Sequence, residues 1–79
     1  MPRYFFLIHE ASGVTPDEDG RELPDLETAR REAVKGVRSI LSADVIEGRL
    51  DLRARIEVTD GAGLVLLTIP FSDALDVQL

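Results

Sequence analysis

The sequence predicts an α+β domain: a small antiparallel sheet of three main strands, with room for a short fourth, and one long helix packed on one face, in the order β-α-β-β. Three observations predict it. The run Tyr4-Phe5-Phe6-Leu7-Ile8-His9 is aromatic and branched, and both of its alternating sets are largely apolar, as in a strand covered on two sides. Between Asp25 and Gly48 apolar residues recur with a helical period. Two further strand-like runs, Ala54 to Thr59 and Leu64 to Phe71, flank Asp60-Gly61-Ala62-Gly63 and read as a β-hairpin.

The first strand follows Met1-Pro2-Arg3, and its apolar stretch is far too short to span a bilayer. With neither a basic leader nor a small-residue cleavage site, it does not read as a signal peptide, and a cytoplasmic protein is expected. From Ser12 to Asp25 the chain turns polar, punctuated by Gly13, Pro16, Gly20 and Pro24, with Asp19-Gly20 the sharpest turn signal. A short extended piece around Val14 or Leu23 is expected against a sheet edge.

Asp25 is a good N-cap ahead of the acidic first-turn residue Glu27, and Gly48 offers a left-handed stop. A helix of about 22 residues fits between them. Leu26, Ala29, Ala33, Val37, Ile40 and Leu41 fall within a ~120° arc, and Arg31, Lys35 and Arg38 point away from it. The stripe is mostly small, which suits a close approach to a sheet and gives neighbouring Gly36 a packing reason for its ~1 kcal/mol propensity cost. Asp44 also projects onto the arc. A sheet ~23 Å long matches roughly 15 helical residues, so Asp44 is expected beyond the sheet edge.

In the hairpin, the first arm alternates and puts Arg55, Glu57 and Thr59 in water, as an edge strand would. The second arm is apolar on both faces until Pro70 ends its ladder, so it is expected in the middle, beside the first and third strands. Tyr4, Phe6, Ile8, Val65, Leu67 and Ile69 then face one way, and Phe5, Leu7, Leu64 and Leu66 the other. One helix covers one face only. The loop from Ser12 to Leu23 and a second copy of the chain are the candidate covers for the other.

At 79 residues the chain is expected to form one domain, burying only about 62% of its extended surface. It has no cysteine, so no disulfide or thiolate metal site staples that thin core. A hydrophobic content of 44% excludes the disordered class, and a net charge of −6 disfavours attraction to nucleic acid or an anionic membrane.

Several stretches carry a resemblance: Arg3-Tyr4-Phe5-Phe6, Pro16-Asp17-Glu18-Asp19-Gly20, the run from Glu22-Leu23-Pro24-Asp25-Leu26-Glu27 through Ala29, Arg30, Glu32 and Ala33, and Leu67-Thr68-Ile69-Pro70-Phe71. Together they resemble an uncharacterised family of short alphaproteobacterial proteins, a domain of unknown function, over almost the whole chain. The resemblance implies a small soluble bacterial protein and transfers no catalytic or binding residue. Ala62 before Gly63 departs from the glycine expected between the hairpin arms. More loosely, the first strand, acidic glycine turn and Pro-Asp-Leu helix start are similar to the HicB antitoxin domain over about the first 45 residues, without an added DNA-binding tail.

Candidate chemistry is sparse. His9, the only histidine, sits beside Glu10 with no second histidine or cysteine to complete a metal shell, and Ser12 lies in no nucleophile motif. Asp17, Glu18, Asp19, Glu22 and Asp25 offer hard oxygens, but counting from Asp17 an EF-hand fails at the fifth residue, Arg21, and the twelfth, Thr28. They suit a solvated turn and a helix N-terminus. Arg31, Lys35 and Arg38 form a basic stripe that could meet a polyanion, yet Glu27 and Glu32 stand at pairing distance along the helix and no aromatic interleaves. The glycines make no phosphate cradle. No cofactor or metal is expected. The leading expectation is a non-enzymatic binding or regulatory module acting through protein contacts as a homodimer, with Phe5, Leu7, Leu64 and Leu66 as interface. The rivals are a nucleic-acid-associated, antitoxin-like regulator using Arg31, Lys35 and Arg38, and a small enzyme using Asp/Glu chemistry.

Overall fold

The computed structural model describes residues 1–76. Strands β1 (Arg3–Glu10), β2 (Gly13–Thr15) and β3 (Arg21–Glu22) precede the helix α1 (Leu26–Ile46), and β4 (Arg55–Thr59), β5 (Val65–Pro70) and a 3-10 turn (Phe71–Ala74) follow it. The sheet is antiparallel throughout, in the order β2-β1-β4-β5, with β3 also paired to β1. The α+β class and the single long helix on one face are as the sequence predicts.

The strand order corrects one expectation. β4, not β5, lies in the middle, and β5 is the edge. On the helix side β4 buries Ile56 and Val58 in the core, and on the other side Arg55 and Glu57 meet His9 from β1. Its alternation therefore reports two different surroundings, not a solvent edge. Thr59, expected in water, is only 6% exposed. The edge position of β5 fits Pro70. Phe71 N–H donates to Ala54 O at 2.9 Å, so by the alternation of the ladder the Pro70 nitrogen, which has no proton to give, points away from β4.

The polar loop runs along the free side of β1 in the plane of the sheet. Ile8, His9 and Glu10 pair with β2, and Arg3 and Tyr4 pair with β3. Between those two stretches Asp17 stands in for a strand: Oδ2 accepts from Phe6 N–H at 3.1 Å, and Oδ1 accepts from Gly20 N–H at 3.0 Å. The acidic turn is thus held by the carboxylate of its own first acid.

Helix α1 starts where the sequence places it. Asp25 Oδ1 accepts from the Thr28 hydroxyl at 2.6 Å and from Thr28 N–H at 2.8 Å. These two bonds, the hydroxyl's first, hold the Asp25 carboxyl below its ordinary range. Ala29, Ala33, Val37 and Leu41 form the buried stripe, which packs over β4, β5 and the 3-10 turn. Asp44 is half-buried, and its carbonyl accepts from Arg49 N–H at 2.8 Å.

Gly36 is a correction: it is exposed, and a Cβ there would meet nothing within 4 Å. Its propensity cost is therefore not offset by packing. Gly36→Ala is expected to stabilise the protein by about 0.5–1 kcal/mol. Ala33→Leu, at a position 1% exposed, is expected to cost about 1–3 kcal/mol by overpacking. Urea midpoints that move together for the two variants would reject this assignment of helix faces.

Phe71, Val37 and Val58 are the largest fully buried side chains. The 3-10 turn that delivers Phe71 is tied to the helix by Arg38, whose Nε donates to Ala74 O at 2.8 Å.

Candidate functional site

Side chains alternate along each strand, so the pairing register divides the sheet into two sets. Tyr4, Phe6, Ile8, Ile56, Val58, Leu67 and Ile69 face the helix, and Phe5, Leu7 and His9 of β1 face away from it, joined by their neighbours Val14, Arg55, Glu57, Thr59, Val65, Thr68 and Pro70. Among the described residues no helix or strand is layered over this second face. The molecule is 17 Å across its shortest axis, about the thickness of one helix laid on one sheet. Its accessible surface is 5335 Å², against roughly 4,700 Å² for a folded monomer of this mass. Val14 and Val65 are 53% and 45% exposed on this face.

Two of the four predicted interface residues, Phe5 and Leu7, lie there. Leu66 and Leu64 are displaced by one irregularity, a bulge that pairs Thr59 with Val65 but Val58 with Leu67. The extra residue, Leu66, is half-buried against the core. Beyond the bulge the alternation is shifted by one, so Val65 takes the place on the uncovered face that the sequence gives to Leu64. Leu64 stands at the hairpin tip, 63% exposed, with its N–H given to Asp60 Oδ1 at 2.9 Å.

The sheet edges are poor docking sites by comparison. β2 is three residues long, and β5 is broken by the bulge at one end and by Pro70 at the other, the devices that blunt strand edges in native proteins.

A polar cluster on the face is the feature that sequence reasoning missed. Arg55 Nη2 lies 3.2 Å from His9 Nδ1, His9 Nε2 lies 2.6 Å from Glu57 Oε1, and Arg55 Nε lies 3.6 Å from Glu57 Oε2. The short contact at Nε2 is not aligned as a hydrogen bond. Reading His9 with its chain neighbour Glu10 concealed the cluster; the signal was the shared alternation of Arg55 and Glu57, which meets His9 only once β1 and β4 are adjacent. At the other end of the face Arg3 Nη2 pairs with Glu22 Oε1 at 3.1 Å. Each cation on the face is therefore beside an anion.

The basic stripe is not continuous. Arg31 lies 3.9 Å from Glu27 and Lys35 lies 3.8 Å from Glu32, while Arg38 turns to the 3-10 segment. Glu27 also meets Arg30 at 2.6 Å, a hydrogen bond that draws its carboxyl down and pushes the guanidinium up. Among the described residues no group of His, Asp and Glu is arranged to hold a metal ion, and no helix is long and apolar enough to cross a membrane.

Residues 3–72 match the model of a domain of unknown function, DUF6894. The chain belongs to the DUF6894 family. No curated protein and no solved structure matches it. The DUF6894 match takes in all five strands and the helix. Both the uncovered face and its polar cluster accordingly lie within the DUF6894 domain.

Proposed function

We propose that this DUF6894 chain is a non-enzymatic protein-contact module that pairs with a second copy of itself through the uncovered face of its sheet. The observation that carries the reading is electrostatic. The chain has a net charge of −6, yet on this face Arg3 sits with Glu22 and Arg55 with Glu57, so two copies can approach here without bringing like charge together. Phe5, Leu7, Val14 and Val65 supply the apolar area. Covering the face in both copies removes ~1,200 Å² or more from water, the low end of specific interfaces. The contact is two-fold, with Phe5 near its axis. A reducing cytoplasm suits a chain free of cysteine.

Light scattering at micromolar concentration is expected to give about twice 8.7 kDa. Val65→Glu, at a half-exposed edge position, is expected to give a folded monomer, and Phe5→Glu a monomer of lower stability. A wild-type monomer would overturn the reading. Labelled duplex DNA at ~100 mM salt is expected to show no saturable binding at micromolar protein. A tight complex lost in the Arg31, Lys35, Arg38 triple alanine variant would move the function to a polyanion.

A further inference from the structure

His9, Arg55 and Glu57 do more than decorate the contact face. The His9 and Glu57 side chains are only 19% and 18% exposed, although among the described residues no helix or strand is layered over that side of the sheet. Arg55 offers donors only, so a hydrogen bond across the 3.2 Å between its Nη2 and His9 Nδ1 requires a ring with no proton on Nδ1. The proton of the neutral ring is then on Nε2, on the side of Glu57. In that state the cluster holds one guanidinium and one carboxylate and is neutral overall.

A proton added at Nδ1 changes the arrangement at one atom. Two donors then oppose each other across 3.2 Å, two cations compete for the single Glu57 carboxylate, and Arg55, 48% exposed, is the partner free to swing out. The neighbouring strands offer no second acid. Across from His9, β2 presents Val14; beyond Glu57 and Arg55, β5 presents Thr68 and Pro70. Glu10 follows His9 in β1 and so points to the opposite side of the sheet. The face passes from neutral to a charge of +1.

We infer that self-association through this face is gated by protonation of His9, with the neutral ring locking Arg55 into a flat, charge-balanced surface and the imidazolium releasing Arg55 and opposing the dimer. The inference rests on the dimer reading. A two-fold contact sets one protonated face against another, and burying unpaired charge opposes association. The dimer is strong where the His9 ring is neutral and weakens where it is protonated.

Sedimentation measurements at about pH 7.5 and about pH 5.5 on wild type, His9→Gln and Arg55→Gln test the gate. The wild-type dimer dissociation constant is expected to rise about tenfold or more at the lower pH, and that of His9→Gln to stay within about twofold. Arg55→Gln, which removes the competing cation, is expected to show a reduced shift. Circular dichroism checks that each variant is folded at both pH values. A dimeric wild type that moves less than about twofold, or a His9→Gln variant that shifts as far as wild type, rejects the gate and leaves the dimer standing. A wild type that is monomeric at both pH values rejects the contact face itself and the gate with it.

Discussion

Replacing Gly20 by alanine is expected to destabilise the fold by about 2–4 kcal/mol, although the residue lies in a polar loop. Gly20 has φ +68, where an L side chain is strained, and a Cβ there would come within 2.9 Å of both Tyr4 O and Phe5 Cε2. The first of those atoms is main chain in β1 and cannot yield without moving the strand. Moving Gly20 instead breaks the bond from its N–H to Asp17 Oδ1, and with it the turn that also satisfies Phe6 N–H. Gly63→Ala is the control. Its φ is +87 with nothing within 4 Å of a Cβ, so it incurs the conformational cost alone, about 1–2 kcal/mol. Equal losses in urea denaturation for the two variants would show that the close approach at Gly20 contributes nothing.

Phe71→Ala is expected to cost about 3–5 kcal/mol. Phe71 is 1% exposed and heads the largest fully buried side chains. It enters the core from the 3-10 turn, with its own N–H bonded to Ala54 O and the turn fastened to α1 through Arg38. A chain of this length has about 4–12 kcal/mol in all, so the variant loses a large part of it and its thermal midpoint drops steeply. Leu75→Ala, at a residue 37% exposed four positions on, is expected to change stability by less than about 0.5 kcal/mol. A Phe71→Ala midpoint close to that of Leu75→Ala would remove Phe71 from the core.

The elements that are legible in the sequence are those fixed by local chemistry. The Asp25 cap, the stripe from Ala29 to Leu41 and the arms of the hairpin all follow from neighbours within a few residues of one another. Strand order is decided by pairing across the chain, and there two local cues conflicted: both alternating sets of β5 are apolar, which suggests a central strand, while Pro70 suggests an edge. The proline was the better guide, because a missing N–H is a property of the backbone ladder, whereas apolar side chains also occur on an uncovered face. Phe71 was legible only as the end of a strand, since its burial depends on the turn that follows Pro70. The displacement of Leu64 by Val65 follows from a one-residue bulge that leaves no mark in composition. Gly36 lies beside the buried stripe, a position that suggests a packing role, and only the empty space around it says otherwise.

The bond between Arg55 and His9 joins residues 46 positions apart, so the central seam of the sheet, β1 against β4, closes around the whole of the helix. The helix and the β4–β5 hairpin need only local contacts, but that seam must overcome the entropy of closing a long loop before any of its ladder is formed. This raises the contact order of the fold above what its helix content suggests. It makes the docking of the N-terminal strand, in both speed and order, the step that turns a helix and a hairpin into a single cooperative unit.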